Sequence, residues 1–268
     1  MIVSPSITTA VRVAALSALD LLFPPVCVSC DRLLSDRADA LVCGVCWART
    51  ARLAAPRCER CGHPSDGHAC RWCPLLPAYV RAARSSCWVG PGTALAIVHA
   101  LKYGGWTAVA AGMAKRMARL GFPDDVVRER TAIVPVPLAR DRERERGYNQ
   151  SALLGQALGE SWRIPMWGDV LHRSRTTETQ TRLTPEQRRH NVSGAFRAAP
   201  GVRRRLRGAH VVIVDDVVTT AATLNACAAA LFDGGARIVS YATFGRAPAI
   251  GDQIDTTGEL LDGNSRRH

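Results

Sequence analysis

The stretch VVIVDDVVTTAATL (residues 211–224) decides the fold of this chain. Its first four residues form a continuous apolar run, which is typical of a central strand in a parallel sheet, because such a strand is buried on both faces. Asp215 and Asp216 follow at once. In open α/β sheets, ligands bind beyond the carboxyl ends of the strands, so the stretch predicts a ligand site at this edge of the sheet.

The segment TTAAT (219–223) comes after the two acids and opens a predicted helix. Its small side chains let a ligand approach the backbone, while consecutive N–H groups, the positive end of the helix and the threonine hydroxyls hold an anion. Carboxylates beside an anion accept hydrogen bonds from sugar hydroxyls, directly or through Mg²⁺ and its waters. The sequence therefore predicts a phosphate cradle beside a carboxylate pair.

Eight of the ten cysteines form four Cys-x-x-Cys pairs between residues 27 and 73. Two thiolate pairs enclose one Zn²⁺ in a closed tetrahedral site, so four pairs predict two structural zinc sites that do no chemistry themselves. His63 and His68 are alternative ligands in the second ribbon, and disulfides are the alternative chemistry, although no export signal is visible. Order along the chain assigns one site to Cys27, Cys30, Cys43 and Cys46 and the other to Cys58, Cys61, Cys70 and Cys73.

The charge of the chain is unevenly distributed. Its 268 residues carry a formal net charge of +12, and residues 128–207 contain 17 arginines against 8 acidic residues. This excess predicts an anionic ligand, nucleic acid or phosphate, with an arginine-rich solvated surface as the alternative. No uninterrupted apolar run reaches about eighteen residues, so the sequence predicts no transmembrane segment, and we expect a cytoplasmic protein.

Composition and periodicity divide the chain into four parts. Residues 1–24 predict an amphipathic helix, residues 25–77 a double zinc ribbon, residues 78–247 an α/β domain and residues 248–268 a disordered tail. The α/β domain has predicted strands at 84–90, 131–138, 164–171, 210–214 and 236–244, and predicted helices at 92–105, 107–120, 151–162 and 223–235. The polar segment 175–196 has no clean period and predicts a long loop.

The stretch 211–224 resembles the phosphoribosyl pyrophosphate signature of type I phosphoribosyltransferases: four apolar residues, two acids, a spacer and Thr-Thr-Gly-x-Thr. With the paired cysteines, the chain resembles the ComF family of competence-associated proteins over roughly residues 20–246. Three further stretches carry the resemblance: LKYGG (101–105), PVPL with RERGYNQ (135–150) and TQTRLTPEQRRHNVSGAF (179–196). The resemblance implies a type I phosphoribosyltransferase fold, a parallel sheet flanked by helices, preceded by a small double zinc ribbon.

The resemblance also implies roles for residues of the predicted site. It implies that ribose hydroxyls, or the Mg²⁺ near them, contact Asp215 and Asp216, that pyrophosphate binds after the strand 131–138, and that residues 179–191 form a mobile flap. It implies that the ribose 5-phosphate is held by Thr219, Thr220, Ala221, Ala222 and Thr223.

Position 221 departs from the family pattern, which has glycine there. If the backbone at Ala221 needs a positive φ, alanine costs about 1 kcal/mol or more and weakens the grip of the loop. If Ala221 begins an ordinary helix, the substitution is harmless. Both alternatives are compatible with the sequence.

Phosphoribosyl transfer leaves negative charge on the departing pyrophosphate, so cationic side chains are expected near it. Arg146 is the preferred one, because Gly147 follows it and allows a close backbone turn; an exposed, salt-bridged helix is the alternative interpretation of this charged run. With Asp215 and Asp216, Arg146 makes up the predicted catalytic set. The other cationic candidates are Lys102, Arg140 and Arg144.

Polar residues at a predicted helix start and in the flap complete the candidate site. Tyr148, Asn149 and Gln150 are expected to hydrogen-bond to pyrophosphate or to the flap, although Asn149 is also a candidate helix N-cap. The flap candidates are Gln180, Arg188 and Asn191.

Two functions of different classes follow. The first is an enzyme that binds Mg²⁺ with phosphoribosyl pyrophosphate and transfers phosphoribosyl to an unidentified acceptor, in association with DNA uptake. The alternative is a non-catalytic adaptor whose zinc ribbon and basic surface bind single-stranded DNA or a competence helicase. Neither function predicts an oligomeric state. Four tryptophans suit base stacking if they are exposed and core packing if they are buried: Trp47, Trp72, Trp88 and Trp106.

Overall fold

The computed structural model describes residues 24–34, 41–65, 70, 72–173, 194–248 and 252. The predicted N-terminal helix (1–24) and C-terminal tail (248–268) lie almost wholly outside these residues, as does most of the predicted loop at 175–196. Within the described ranges, no helix has both the length and the apolar composition that crossing a membrane requires.

Four parallel strands form the central sheet: β1 (Val80–Trp88), β2 (Arg130–Pro135), β5 (His210–Val218) and β6 (Ile238–Arg246). Their order is β1-β6-β5-β2, so β5 lies in the interior of the sheet, as its apolar run predicts. The strands predicted at 84–90, 131–138, 210–214 and 236–244 are confirmed. β5 continues four residues further than predicted, so Asp215 and Asp216 lie within the C-terminal part of the strand rather than after it.

Eight helices are found in the described part of the chain: α1 (Gly44–Ala48), α2 (Thr93–Tyr103), α3 (Val109–Met117), α4 (Asp124–Glu129), α5 (Arg140–Arg146), α6 (Gln150–Trp162), α7 (Arg203–Leu206) and α8 (Ala222–Asp233). The four predicted helices correspond to α2, α3, α6 and α8. The charged run after β2 forms α5, which buries none of its residues. The sequence did not predict α1, α4 and α7, because one or two turns are too short for an apolar period to show.

The strand predicted at 164–171 is wrong. Only Met166 makes a bridge to the sheet, opposite Ile133, because the parallel ladder would need the N–H of Pro165 to extend before the bridge and the N–H of Pro135 to extend after it. Ile133 donates to the Pro165 carbonyl and Trp167 donates to the Ile133 carbonyl, and the pairing ends there. The chain then forms a separate two-stranded antiparallel sheet from β3 (Leu171–Arg173) and β4 (Phe196–Ala198).

Side chains of β5 alternate between two hydrophobic cores, one on each face of the sheet. Val211 and Ile213 pack with α8 and with the second pair of Cys-x-x-Cys motifs, whereas Val212 and Val214 pack with α2, α3 and α6 and with the first pair. All four valine and isoleucine side chains are fully buried. The two cysteine ribbons therefore pack against different faces of the same sheet.

The predicted role of the tryptophans in base stacking is not supported for most of them. Trp47 and Trp88 are buried in the core, and Trp72 is half-buried beside the second ribbon. Of the four, Trp106 is the one that is exposed, at 48%.

Candidate functional site

Each ribbon brings four cysteine sulfurs together. The four Sγ atoms of Cys27, Cys30, Cys43 and Cys46, and those of Cys58, Cys61, Cys70 and Cys73, lie within 4.8 Å of one another. The Cys30–Cys43 separation is 3.8 Å, and the Cys58–Cys73 and Cys61–Cys70 separations are 3.3 Å. Zn–S bonds of about 2.3 Å in a tetrahedron place sulfurs about 3.8 Å apart, so both donor sets fit a closed Zn²⁺ site.

Backbone N–H groups support the sulfurs of the first site. Cys43 N donates to Cys27 Sγ over 3.3 Å, and Cys46 N donates to Cys43 Sγ over 3.4 Å. Burial raises the pKa of Cys27, but the hydrogen bonds that this sulfur accepts, the one from Cys43 N among them, more than offset it and lower the pKa to about 7. The alternative ligand His63 is not in the four-sulfur cluster: its ring is tilted against Trp72 with the ring centres 5.2 Å apart, and it contacts Asp252 over 3.1 Å, while His68 lies outside the described residues.

A cleft of about 1160 Å³ opens at the carboxyl edge of the sheet, where the sequence predicts the ligand site. Its walls are the end of β5 with the residues that follow, the end of α2, the turn after β2 and one side of α5. Of the predicted site residues, those that line the cleft are Lys102, Arg146, Tyr148, Gln150, Asp215, Asp216, Thr219, Thr220, Ala221, Ala222 and Thr223.

The two carboxylates at the floor of the cleft have different partners. Asp216 is buried and ion-paired with Lys102, and Gln150 Nε2 donates to its Oδ1 over 3.5 Å. Asp215 accepts a hydrogen bond from Ser151 Oγ over 2.8 Å. Burial raises the pKa of Asp215 to about 7, and the neighbouring Asp216 carboxylate raises it too, against the effect of Lys102. Burial lowers the pKa of Lys102, but the two carboxylates outweigh it and the pKa is raised.

The segment that joins β5 to α8, here called the threonine loop (residues 219–221), lies at the mouth of the cleft. Ala221 is the N-cap of α8 and has the left-handed backbone φ +58°, ψ +7°. Ala221 therefore has the positive φ that one of the two alternatives required, and it does not begin an ordinary helix. In the described part of the chain, we find no hydrogen bond from the backbone N–H groups of Thr219, Thr220 and Ala221, so the loop presents these donors together with the start of a helix.

Three arginines face the cleft and form what we call the basic wall: Arg142, Arg146 and Arg173. Arg146 donates to Gln150 Oε1, and its guanidinium lies 5.6 Å from the centre of the Tyr103 ring. Burial lowers the pKa of Arg173, and the positive charge of Arg142, which lines the same cleft, lowers it further.

Two predicted arginines lie elsewhere. Arg140 and Arg144 are exposed and do not line the cleft, and Arg144 Nε donates to the Arg140 carbonyl on their own helix. Helical spacing explains the difference, because residues four apart share a face, so Arg142 lies on the same side of α5 as Arg146. Applying helical spacing to the charged run, with Arg146 toward the cleft, would have predicted that Arg142 also faces the cleft. No local signal identifies Arg173, which enters the cleft from the β3–β4 sheet.

Of the predicted site residues that follow α5, Asn149 caps a helix, whereas Tyr148 lines the cleft. Asn149 caps α6, accepting from Ser151 N over 2.9 Å, and its Nδ2 donates to the Val136 carbonyl over 3.0 Å, so the N-cap alternative is confirmed. The Tyr148 hydroxyl donates to the Leu101 carbonyl while the residue lines the cleft. The flap candidates Gln180, Arg188 and Asn191 lie outside the described residues.

Comparison with known sequence families and proteins agrees with this architecture. Residues 18–75 match the double zinc ribbon domain, and residues 164–257 match the phosphoribosyl transferase domain. The chain is 35% identical over 213 residues to the DNA utilization protein YhgH of Salmonella typhi, a match that covers 74% of this chain and 87% of that protein. It is 23% identical over 233 residues to competence protein ComFC of Bacillus subtilis, covering 78% and 90%.

A shorter match extends to competence protein F of Haemophilus influenzae, with 39% identity over 112 residues, covering 42% of this chain and 45% of that protein. Among solved structures, the glutamine phosphoribosylpyrophosphate amidotransferase of B. subtilis is 20% identical with a TM-score of 0.34, covering 51% of this chain and 26% of that one. The hypoxanthine phosphoribosyltransferase of Trypanosoma cruzi is 25% identical with a TM-score of 0.28, covering 50% and 62%.

The sheet, the cleft and the two domain matches define a protein of the phosphoribosyltransferase fold that is preceded by a double zinc ribbon. Within that class, the chain belongs to the ComF family of competence-associated proteins.

Proposed function

We propose that the chain binds the magnesium complex of phosphoribosyl pyrophosphate in the cleft and transfers its phosphoribosyl group to an acceptor in the cytoplasm. The observation that supports this proposal is the convergence of three groups in one cleft of about 1160 Å³: the threonine loop, the carboxylate pair and the basic wall. These groups match the three parts of the ligand, which are a terminal phosphate, a sugar with two hydroxyls and a pyrophosphate.

The threonine loop suits the 5-phosphate. Backbone N–H groups and the positive end of α8 stabilise a dianion, and Thr219 and Thr220 add hydroxyl donors. Asp215 and Asp216, at the end of the same strand, then lie within one sugar length of the phosphate, where their oxygens accept hydrogen bonds from the 2- and 3-hydroxyls. Bound in this way, the ribose has its C1 carbon directed into the cleft.

The basic wall suits the pyrophosphate. As the bond from ribose C1 to the pyrophosphate oxygen breaks, the electron pair moves onto the leaving group and the sugar becomes cation-like. Guanidinium groups of Arg142, Arg146 and Arg173 hold the growing negative charge, and such fixed donors account for factors of about 10² to 10³ in rate. The acceptor then forms the new bond to C1 and loses its proton.

The donor set also fits Mg²⁺, which prefers carboxylate, phosphate and water oxygens. Asp215 and Asp216 supply carboxylate oxygens beside the predicted pyrophosphate position, and the ion would neutralise part of the pyrophosphate charge. Lys102 holds Asp216 in the absence of ligand and is the group that the metal complex would displace or share.

Calorimetric titration of phosphoribosyl pyrophosphate into the zinc-loaded protein, with and without Mg²⁺, tests the proposal. We expect micromolar binding that requires Mg²⁺ and that Asp215→Asn/Asp216→Asn abolishes. Tight binding that is unchanged in the double variant would mean that the anion binds elsewhere. Absence of binding by the wild-type protein would refute the substrate assignment.

A second candidate function is supported by a separate surface. Arg203, Arg204 and Arg207 are exposed on and after α7, and related proteins are named for DNA utilization and competence. We propose that this surface binds single-stranded DNA or a competence helicase. Fluorescence anisotropy with labelled oligonucleotides tests it: affinity should fall steeply with salt, and Arg203→Ala/Arg204→Ala should weaken it while leaving phosphoribosyl pyrophosphate binding unchanged.

A further inference from the structure

The second zinc ribbon packs against the threonine loop. A small cavity of about 30 Å³, separate from the cleft, lies between them. Cys61, Trp72 and Leu75 line it from the ribbon, and residues 219–221 line it from the loop. The loop thus has the ligand cleft on one side and a metal-bound module on the other, and each end of the loop is tied to that module by a hydrogen bond.

The tie at the start of the loop runs through Arg246. This side chain is 9% exposed, and its Nη2 donates to the carbonyl of Cys61, a zinc ligand, over 2.7 Å. Arg246 is the register partner of Val218, the residue that precedes the loop, and Ala247 N donates to the Val218 carbonyl over 2.8 Å. Arg246 therefore connects the end of β5 to the backbone of Cys61 in the second site.

The tie at the end of the loop runs through Asn225, in the first turn of α8. Its Nδ2 donates to the Leu75 carbonyl over 2.7 Å, and its backbone N–H donates to the Ala221 carbonyl over 2.8 Å. The Tyr241 hydroxyl donates to Asn225 Oδ1 over 2.9 Å, which fixes the orientation of the amide. Leu75 closes the short 3₁₀ turn Cys73–Leu75, which begins at another zinc ligand.

The loop needs such support because Ala221 has a left-handed backbone. A residue with a Cβ in that region persists only where its surroundings hold it, and the strain amounts to about 1–2 kcal/mol. The ribbon in turn depends on its metal, because a segment of this size buries too little apolar surface to fold alone. The metal site is thus linked to the threonine loop through the ribbon carbonyls that Arg246 and Asn225 contact.

We propose that the second zinc ribbon holds the threonine loop in its anion-binding shape, with Asn225 and Arg246 as the positioning residues. The identity of the anion, a sugar 5-phosphate, rests on the proposed function. Because coupling between two binding sites is reciprocal, a sugar phosphate in the loop also strengthens zinc binding in the second ribbon, and not in the first, which packs on the other face of the sheet.

Asn225→Ala in the full-length, zinc-loaded protein tests the proposal. Asn225 is half-buried and its side chain is not in the cleft lining, so its truncation removes the tie without touching the ligand site. Gln156→Ala is the matched control, because among the described residues this exposed amide bonds only to Glu160 on α6. Three quantities are measured: the affinity for ribose 5-phosphate by calorimetry, hydrogen exchange of the amides 218–225, and the rate of zinc transfer to a chelator.

We expect Asn225→Ala to weaken ribose 5-phosphate binding about tenfold, within the usual range of coupling between sites, and to speed exchange of the loop amides. Ribose 5-phosphate should slow zinc release from the wild-type second ribbon about tenfold and have no such effect in the variant. Gln156→Ala should match the wild type throughout. Tyr241→Phe, which keeps the Asn225 donor and removes only its orienting bond, should give a smaller change in the same direction.

Wild-type values for Asn225→Ala in all three measurements would overturn the proposal while leaving the proposed function intact. If the wild-type protein binds neither ribose 5-phosphate nor phosphoribosyl pyrophosphate, the proposed function fails instead. Hydrogen exchange and zinc release without ligand then decide the coupling: faster exchange and faster release in the variant support it, and unchanged rates overturn it.

Discussion

Replacing Ala221 by glycine is the most direct test of the threonine loop. Glycine adopts φ +58° without strain, so the substitution relieves about 1–2 kcal/mol. Two effects oppose this gain: the unfolded chain acquires more freedom, about 0.4–1 kcal/mol, and a partly buried methyl group is lost, about 0.5 kcal/mol. The net expectation for Ala221→Gly is a stabilisation of about 0.3 kcal/mol.

The neighbouring residue provides the matched control. Ala222 is the first residue of α8 and is buried, at 8% exposure. Glycine there loses helix propensity and a buried methyl group, so Ala222→Gly should destabilise the protein by about 1.5 kcal/mol. Two adjacent and chemically identical substitutions are thus expected to have opposite signs and to differ by about 2 kcal/mol.

Urea unfolding of the zinc-loaded variants, followed by tryptophan fluorescence, gives both free energies of unfolding. An equal loss of stability in Ala221→Gly and Ala222→Gly would refute the reasoning, because it would mean that residue 221 has ordinary helical geometry. In that case the departure from the family's glycine would be harmless.

Three further outcomes are expected. Arg142→Met should weaken phosphoribosyl pyrophosphate binding about 10- to 100-fold in calorimetry, whereas Arg144→Met, on the exposed side of the same helix, should stay within about twofold. Because the pKa of Asp215 is raised to about 7, its contribution to stability is present near pH 4 and is lost as the pH rises through 7. In urea titrations, the free energy of unfolding of the wild type relative to Asp215→Asn should therefore fall by about 2 kcal/mol between about pH 5 and 8. A difference that stays constant over this range would contradict the raised pKa. Removal of zinc with a chelator should lower the melting temperature by about 5 °C or more, with two zinc ions per chain released as counted by native mass spectrometry.

Local sequence patterns predicted correctly those features that depend on residues close together in the chain. The spacing of the cysteine pairs predicts two four-sulfur sites, because each pair acts through a single turn of the chain. The apolar run before Asp215 predicts an interior strand, since burial on both faces requires apolar residues on both. The same reasoning failed at 164–171, where Pro165 and Pro135 limit the pairing to one bridge.

The candidate site was predictable in part. The threonine loop, the carboxylate pair, Lys102 and Arg146 line one cleft, but the predicted Arg140 and Arg144 lie outside it, whereas Arg142 lines it. That error came from treating a charged run as a set of equivalent side chains rather than as a helix with one face toward the cleft. Arg173 was missed because it reaches the cleft from a different sheet.

By itself, the sequence determined the strand that carries the two carboxylates, the four cysteine pairs and the family to which the chain belongs, because each is written in residues a few positions apart. Only the tertiary structure decided that Ala221 has a left-handed backbone and that a zinc ribbon supports the loop around it. The contact between Leu75 and Asn225 joins residues 150 positions apart. Such a contact depends on how the strands and helices pack, and no local pattern records it.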